Sequence, residues 1–204
     1  MSDEFLLDTP ALRAFIAEVR AIQARELSVA ARLAAIRPRF AALLADTAWL
    51  PDSFRQPAPE SGMGGGIASW LIYRAGDGSL SLFALVVPPG SSTPVHDHLA
   101  WGLVGLYTGE QREEVFAPDP AAPESPERRP LRLTAINELR AGDFYELIPP
   151  EGDIHRVTTT SSTPSISLHL LGNDTGCVQR HRYDPESGAV APFTSGYTNR
   201  PCDS

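Results

Sequence analysis

His96 and His98 stand one residue apart in the stretch TPVHDHLAWGLVGLYTGE, residues 94 to 111. Strand side chains alternate between faces, so residues 96 and 98 project from the same side, and two imidazoles on one face can chelate a single ion. The pair alone is equally compatible with a polar strand edge. Further along, GDFYELIPPEGDIHRV runs from a strand through a Pro-Pro-Glu-Gly turn to His155 on the next strand. An antiparallel partner can bring that residue opposite the first pair. Three neutral imidazoles would then occupy one side of a metal and leave the other side open. In SISLHLLG, Ser167 and His169 share a strand face, and a serine hydroxyl can orient the ring so that it donates to a bound group. Standing alone, His169 reads as a buried histidine satisfied within a core.

These residues must be held by strands. From Gly62 onward the chain shows short runs of Leu, Val, Ile, Phe and Tyr separated by turn clusters: AGDGS, PPGSS, RAGD and PPEGD. That is sandwich or barrel spacing. The charged, proline-rich segment from Ala117 to Pro130 has no periodicity and reads as a solvated loop between the two halves of the β-domain. The first 46 residues differ: they lack glycine, and Leu12, Phe15, Ile16 and Val19 recur at helical spacing. Asp8 or Thr9 can cap a helix with Pro10 in its first turn, and Ser28 can cap a second that runs to about Asp46. The expected organisation is a helical segment over residues 1–60, packed on a β-barrel domain over residues 61–204.

With 204 residues, 42% of them hydrophobic, the chain can fill one full-sized core. A net charge of -8 and a pI near 5.1 disfavour nucleic acid and anionic membrane as partners. No window approaches 18 apolar residues, and the opening MSDEFLLDTP is acidic where a signal peptide is basic, so a soluble, cytoplasmic protein is expected. Cys177 and Cys202 lack CxxC spacing, and the expectation is a reduced pair with no role in metal binding.

Gly90, His96, His98 and Gly109, followed by Pro150, Gly152 and His155, resemble the two motifs of the cupin superfamily. The resemblance covers roughly residues 67 to 183 and implies a mainly β fold, a cupin double-stranded β-helix or jelly-roll barrel. Many cupins place a carboxylate where this chain has Gly102. Three neutral ligands would leave the charge of a divalent ion uncompensated, which favours an anionic ligand such as a thiolate. HDHLAWGLVGLYTGE, IHRV, SISLH and the tail PFTSGYTN resemble the cysteine dioxygenase-like thiol dioxygenases, most of all the bacterial 3-mercaptopropionate type. That resemblance implies Fe(2+) on His96, His98 and His155, with Ser167 and His169 as a catalytic relay. It also implies oxidation of a small thiol acid (3-mercaptopropionate, mercaptosuccinate or cysteine) to its sulfinate by O2.

The chain departs from that pattern at several positions. Leu171 stands where the family keeps a relay tyrosine; Tyr73, Tyr107, Tyr183 or Tyr197 could supply a phenol from elsewhere. Ala68, Ser69 or Trp70 falls near the family's carboxylate-binding arginine or glutamine, and no cysteine follows His98 in its strand. Arg180 aligns with an arginine of the mercaptopropionate group and is the expected carboxylate binder, because a guanidinium can fork onto a carboxylate. Arg74 and Arg156 are the alternates. Trp70, Trp101 and Leu171 are expected to line the substrate cavity. His181, one residue from Arg180, would face the other way. The competing readings are a metal-dependent cupin acting on a non-thiol small acid and a non-catalytic cupin that binds a small molecule. Oligomeric state is left open.

Overall fold

Thr9 accepts a hydrogen bond from the backbone of Leu12 and starts α1 (Pro10–Gln23), while Ser28 does the same for Ala31 at the head of α2 (Val29–Ala45). Both are side-chain caps that satisfy otherwise orphaned helix N–H groups. The computed structural model describes residues 2–59 and 63–202. The expected domain boundary between residues 60 and 61, and the change of pattern at Gly62, lie outside them. A short β1 (Glu4–Phe5) precedes the helices.

The remaining strands are β2 (Ala68–Arg74), β3 (Ser81–Val87), β4 (Val95–His96), β5 (Gly102–Thr108), β6 (Glu110–Pro118) and β7 (Leu131–Arg140), then β8 (Phe144–Leu147), β9 (Ile154–Thr159), β10 (Ser165–Leu171), β11 (Arg180–Tyr183) and β12 (Val190–Phe193). They form two six-stranded antiparallel sheets, ordered β1-β2-β3-β10-β5-β8 and β12-β11-β4-β9-β6-β7. From β3 to β11 the chain crosses between the sheets at every connection except the β6–β7 hairpin. That alternation is a double-stranded β-helix, here with an N-terminal helical pair against one sheet. Among the described residues no helix is long and apolar enough to cross a membrane.

The first sheet is buried on both faces. Leu82, Ala84, Val86, Ile166, Leu168 and Leu170 turn outward and join Leu33, Ile36 and Phe40 of α2 in one apolar cluster. Each fully buried large side chain of this layer contributes about 2 kcal/mol by leaving water. Phe83, Leu85, Val87 and Leu171 turn inward and form a second cluster inside the barrel. The second sheet differs: its outer face carries a small cluster of Val95, Phe116, Ile154 and Tyr183, and its inner face carries buried polar groups. The helices therefore brace the first sheet, while His96, His155 and Arg180 lie on the sheet opposite.

Two expectations are corrected. The proline-rich segment joins β6 to β7, which are hydrogen-bonded neighbours in one sheet, so it tips a hairpin and does not link two halves. Cys177 and Cys202 are not reduced: they form a disulfide with Cα atoms 5.3 Å apart. No local spacing marks residues this far apart as a bridge, and the expectation of a reduced pair rested on the absence of such a motif. The bridge pins a tail that runs across β2, where Thr198 exchanges hydrogen bonds with the Ser69 backbone (2.7 and 2.9 Å) and Asn199 with that of Leu71 (2.9 and 3.0 Å). Closing a loop of 25 residues removes unfolded-state entropy worth about 3 kcal/mol. Cys202→Ser is accordingly expected to lower the Tm by about 10 °C, measured by thermal CD, and reductant is expected to do the same to the parent but not to the variant.

Candidate metal centre

Register brings the histidines together. His96 at the end of β4 lies directly opposite His155 on β9, and His98 follows two residues on. The three ring centroids are 4.9 to 5.0 Å apart, all three residues are buried, and one nitrogen from each lies within 4.8 Å of the others. The segment after β4 is held from the second motif. Asp153 accepts the backbone N–H of His98 on one carboxylate oxygen and that of Leu99 on the other, both at 3.0 Å. This clamp holds Leu99 at φ 55°, a left-handed conformation uncommon for a bulky residue. Burial outweighs those two donors and raises the Asp153 pKa.

Ring orientation follows from the partners. The Pro94 carbonyl can only accept, so His96 donates to it from Nδ1 at 2.9 Å and keeps Nε2 free as a ligand. His155 likewise donates from Nδ1 to Glu113 at 2.8 Å, and its Nε2 is buried with no hydrogen-bond partner among the described residues. A buried imidazole nitrogen left unpaired beside two other imidazoles is what a ligand awaiting a metal presents, and the donor set fits a divalent transition ion. Burial first, then the neighbouring imidazoles and Arg180, hold His96 and His98 well below the ordinary histidine pKa. Both are neutral at pH 7, as ligation requires.

Across the barrel, on β10, Ser167 Oγ lies 3.0 Å from His169 Nε2. The His169 ring stacks on Phe83 with centroids 4.7 Å apart, lies 6.2 Å from the His98 ring, and has a buried, unpartnered Nδ1 among the described residues. Burial pushes its pKa down to about 3. The structure thus brings the three candidate ligands and the Ser167–His169 pair to one interior.

Arg180 joins them. Because Arg182 opposes His96 across the β11–β4 ladder, Arg180, two residues away, shares the face of His96. Its guanidinium is buried over the Phe193 ring at 4.6 Å; Nη1 donates to the Asp97 carbonyl (2.6 Å), Nη2 to Ser195 Oγ (2.9 Å), and Nε has no partner among the described residues. Burial lowers its pKa to about 10, so it stays charged at neutral pH. His181 turns to the opposite face and bonds Asp97 at 2.7 Å. Arg74 pairs with Glu4 and Asp174, and Arg156 with Glu114, so both alternates are engaged away from the histidines.

Several expected residues lie elsewhere. Trp70 packs toward Phe54 in the helix-facing layer and donates to the Gln56 carbonyl at 2.8 Å. Trp101 also joins that layer, beneath the Arg32 guanidinium. Neither lines the interior: Trp70 sits on the face of β2 that meets the helices, and Trp101, just before β5, packs in the same layer. Leu171 does face inward, in the apolar cluster with Phe83 and Val104. It explains Gly102: a Cβ at 102 would lie 2.3 Å from Leu171 Cδ2 and 2.6 Å from the Leu170 carbonyl. Of the four candidate tyrosines, Tyr73 bonds Asp3, Tyr107 the Asp46 carbonyl, Tyr183 Asp97, and Tyr197 Asp174.

Sequence reasoning missed Glu113, Tyr145, Asn137 and Asp153. Glu113 corrects the charge argument, since a buried carboxylate stands behind a ligand even though none occupies position 102. The only signal was strand parity, which puts Gln111 and Glu113 on the inner face of β6.

No protein-family model matches the chain. Among solved structures it is similar to a protein with a double-stranded β-helix domain from Klebsiella pneumoniae (13% identity, TM-score 0.42, covering 71% of this chain and 94% of that one). It is also similar to a cupin 2 conserved barrel domain protein from Salinispora arenicola (16%, TM-score 0.39, 56% and 82%). A third similarity is to Peruvianin-I, a cysteine peptidase from Thevetia peruviana latex, at 17% identity and TM-score 0.37. That match covers 57% of this chain and 57% of Peruvianin-I, so the chain spans little more than half that protein's length. The strand order and crossings define a double-stranded β-helix. Within it stands a candidate three-histidine metal site.

Proposed function

We propose that this chain is a mononuclear Fe(2+) thiol dioxygenase that converts a small thiol carboxylate to its sulfinate. The observation that carries this reading is the placement of Arg180, with a free buried Nε, on the inner face that bears the three histidines. Positive charge then sits at two places, the metal and the guanidinium, and suits a ligand that is anionic at both ends, thiolate and carboxylate. The reaction balances as RSH + O2 giving RSO2H, with both oxygen atoms bonded to sulfur.

Bound on His96, His98 and His155, the iron would supply a redox-active Lewis acid where thiolate and O2 meet. The chain's own residues do the rest. Arg180 holds the carboxylate and fixes the direction of the thiol. His169, oriented by Ser167, offers its free Nδ1 to the interior. Phe83, Val104 and Leu171 keep that wall dry. Leu171, an apolar side chain where a relay phenol is expected, favours a second reading: a metal-dependent enzyme for a non-thiol acid.

The test is anaerobic reconstitution with Fe(2+), then O2 uptake with 3-mercaptopropionate, mercaptosuccinate and cysteine in parallel. Consumption of at least one thiol with one sulfinate per O2 is expected. Iron bound at one per chain with no thiol consumed would overturn the thiol reading and leave the second.

A further inference from the structure

Glu113 lies on β6 opposite Val157, diagonal to His155 on the neighbouring strand, and both side chains face the interior. It is 2% exposed. A buried carboxylate without donors costs several kcal/mol, and this one has two, His155 Nδ1 at 2.8 Å and Asn137 Nδ2 at 2.9 Å, with the Tyr145 hydroxyl beside them at 3.3 Å from His155 Nδ1. Two other carboxylates of the region are buried: Asp153 accepts the backbone N–H groups of His98 and Leu99 and so shapes the chain, while Asp97 turns to the opposite face and bonds His181 and Tyr183. Glu113 accepts from an imidazole that has its other nitrogen free.

We infer that Glu113 is a positioning residue for a divalent metal: it holds the His155 ring with Nε2 toward the ion and places behind that ligand the negative charge that Gly102 cannot supply. The inference rests on the metal-site reading above and not on the thiol chemistry. Asn137 holds the carboxylate from β7, a largely exposed strand on which Asn137 is itself exposed. Such outer partners fix ring orientation and raise ligand basicity, and their loss typically costs about 10- to 100-fold in metal affinity.

Co(II) added to the metal-free full-length protein is the probe, with affinity read by chelator competition and coordination by the visible d–d bands. One Co(II) per chain is expected in the parent. Glu113→Gln keeps the size of the side chain and removes its charge; it is expected to bind Co(II) about 10- to 100-fold more weakly, with shifted bands and an unchanged near-UV CD spectrum. An affinity within threefold of the parent, with identical bands, overturns the role of Glu113 and leaves the metal site standing. If Glu113→Gln does not fold, Asn137→Ala decides: a several-fold loss supports the role, and none overturns it. A parent that takes up no Co(II) overturns the metal reading and this inference together.

Discussion

His155→Ala is expected to abolish stoichiometric binding of a divalent metal, with affinity falling on the order of a thousandfold as one of three protein ligands is lost. The effect is the largest available at this site because His155 acts twice. It offers a buried, unpartnered Nε2 to the ion, and through Nδ1 it is the donor that stabilises the Glu113 carboxylate. Removing the ring therefore also strands a buried charge, at a cost of about 1–3 kcal/mol to the metal-free fold. The measurement is metal content after dialysis against one equivalent of ion, on protein whose near-UV CD matches the parent. Unit stoichiometry in the variant would mean that the ion lies elsewhere. On the proposed oxygenase function, O2 uptake is expected to disappear with it.

Arg180→Met should act on a different quantity. A hydrogen bond to a charged group contributes about 1.5–3 kcal/mol, so losing the guanidinium is expected to raise KM for a thiol carboxylate about 10- to 150-fold. The kcat should move much less, because the metal and His169 remain in place. Ethanethiol, which has no carboxylate, provides the control: parent and variant should handle it alike. Equal KM values for the thiol acid in both proteins would dismiss Arg180 as the carboxylate binder. Arg180→Lys should fall between, since lysine keeps the charge but cannot bridge the Asp97 carbonyl, Ser195 and a ligand at once.

What could be read from the residues in advance was whatever obeys a local period. Thr9 and Ser28 announce the helices because caps act within one turn. His96, His98 and His155 announce themselves because period two and a Pro-Gly turn determine which face a side chain takes. The same parity put His181 on the face opposite Arg180, whose inward placement was expected from the resemblance alone. Parity does not say what lies beyond a face, and so Trp70 and Trp101 were assigned to the interior when the helices cover them. Glu113, Asn137 and Tyr145 come together from β6, β7 and β8 through pairings distant along the chain, and no motif spacing marks them. The Cys177–Cys202 bond is of the same kind.

The close packing around Gly102 has a consequence for any attempt to put a carboxylate there. A β-carbon at 102 would meet Leu171 Cδ2 at 2.3 Å and the Leu170 carbonyl at 2.6 Å. The end of the leucine side chain can turn aside, but the carbonyl belongs to the backbone of β10 and moves only with the strand. Trimming position 171 alone would therefore not open position 102, and the backbone itself keeps this spot bare.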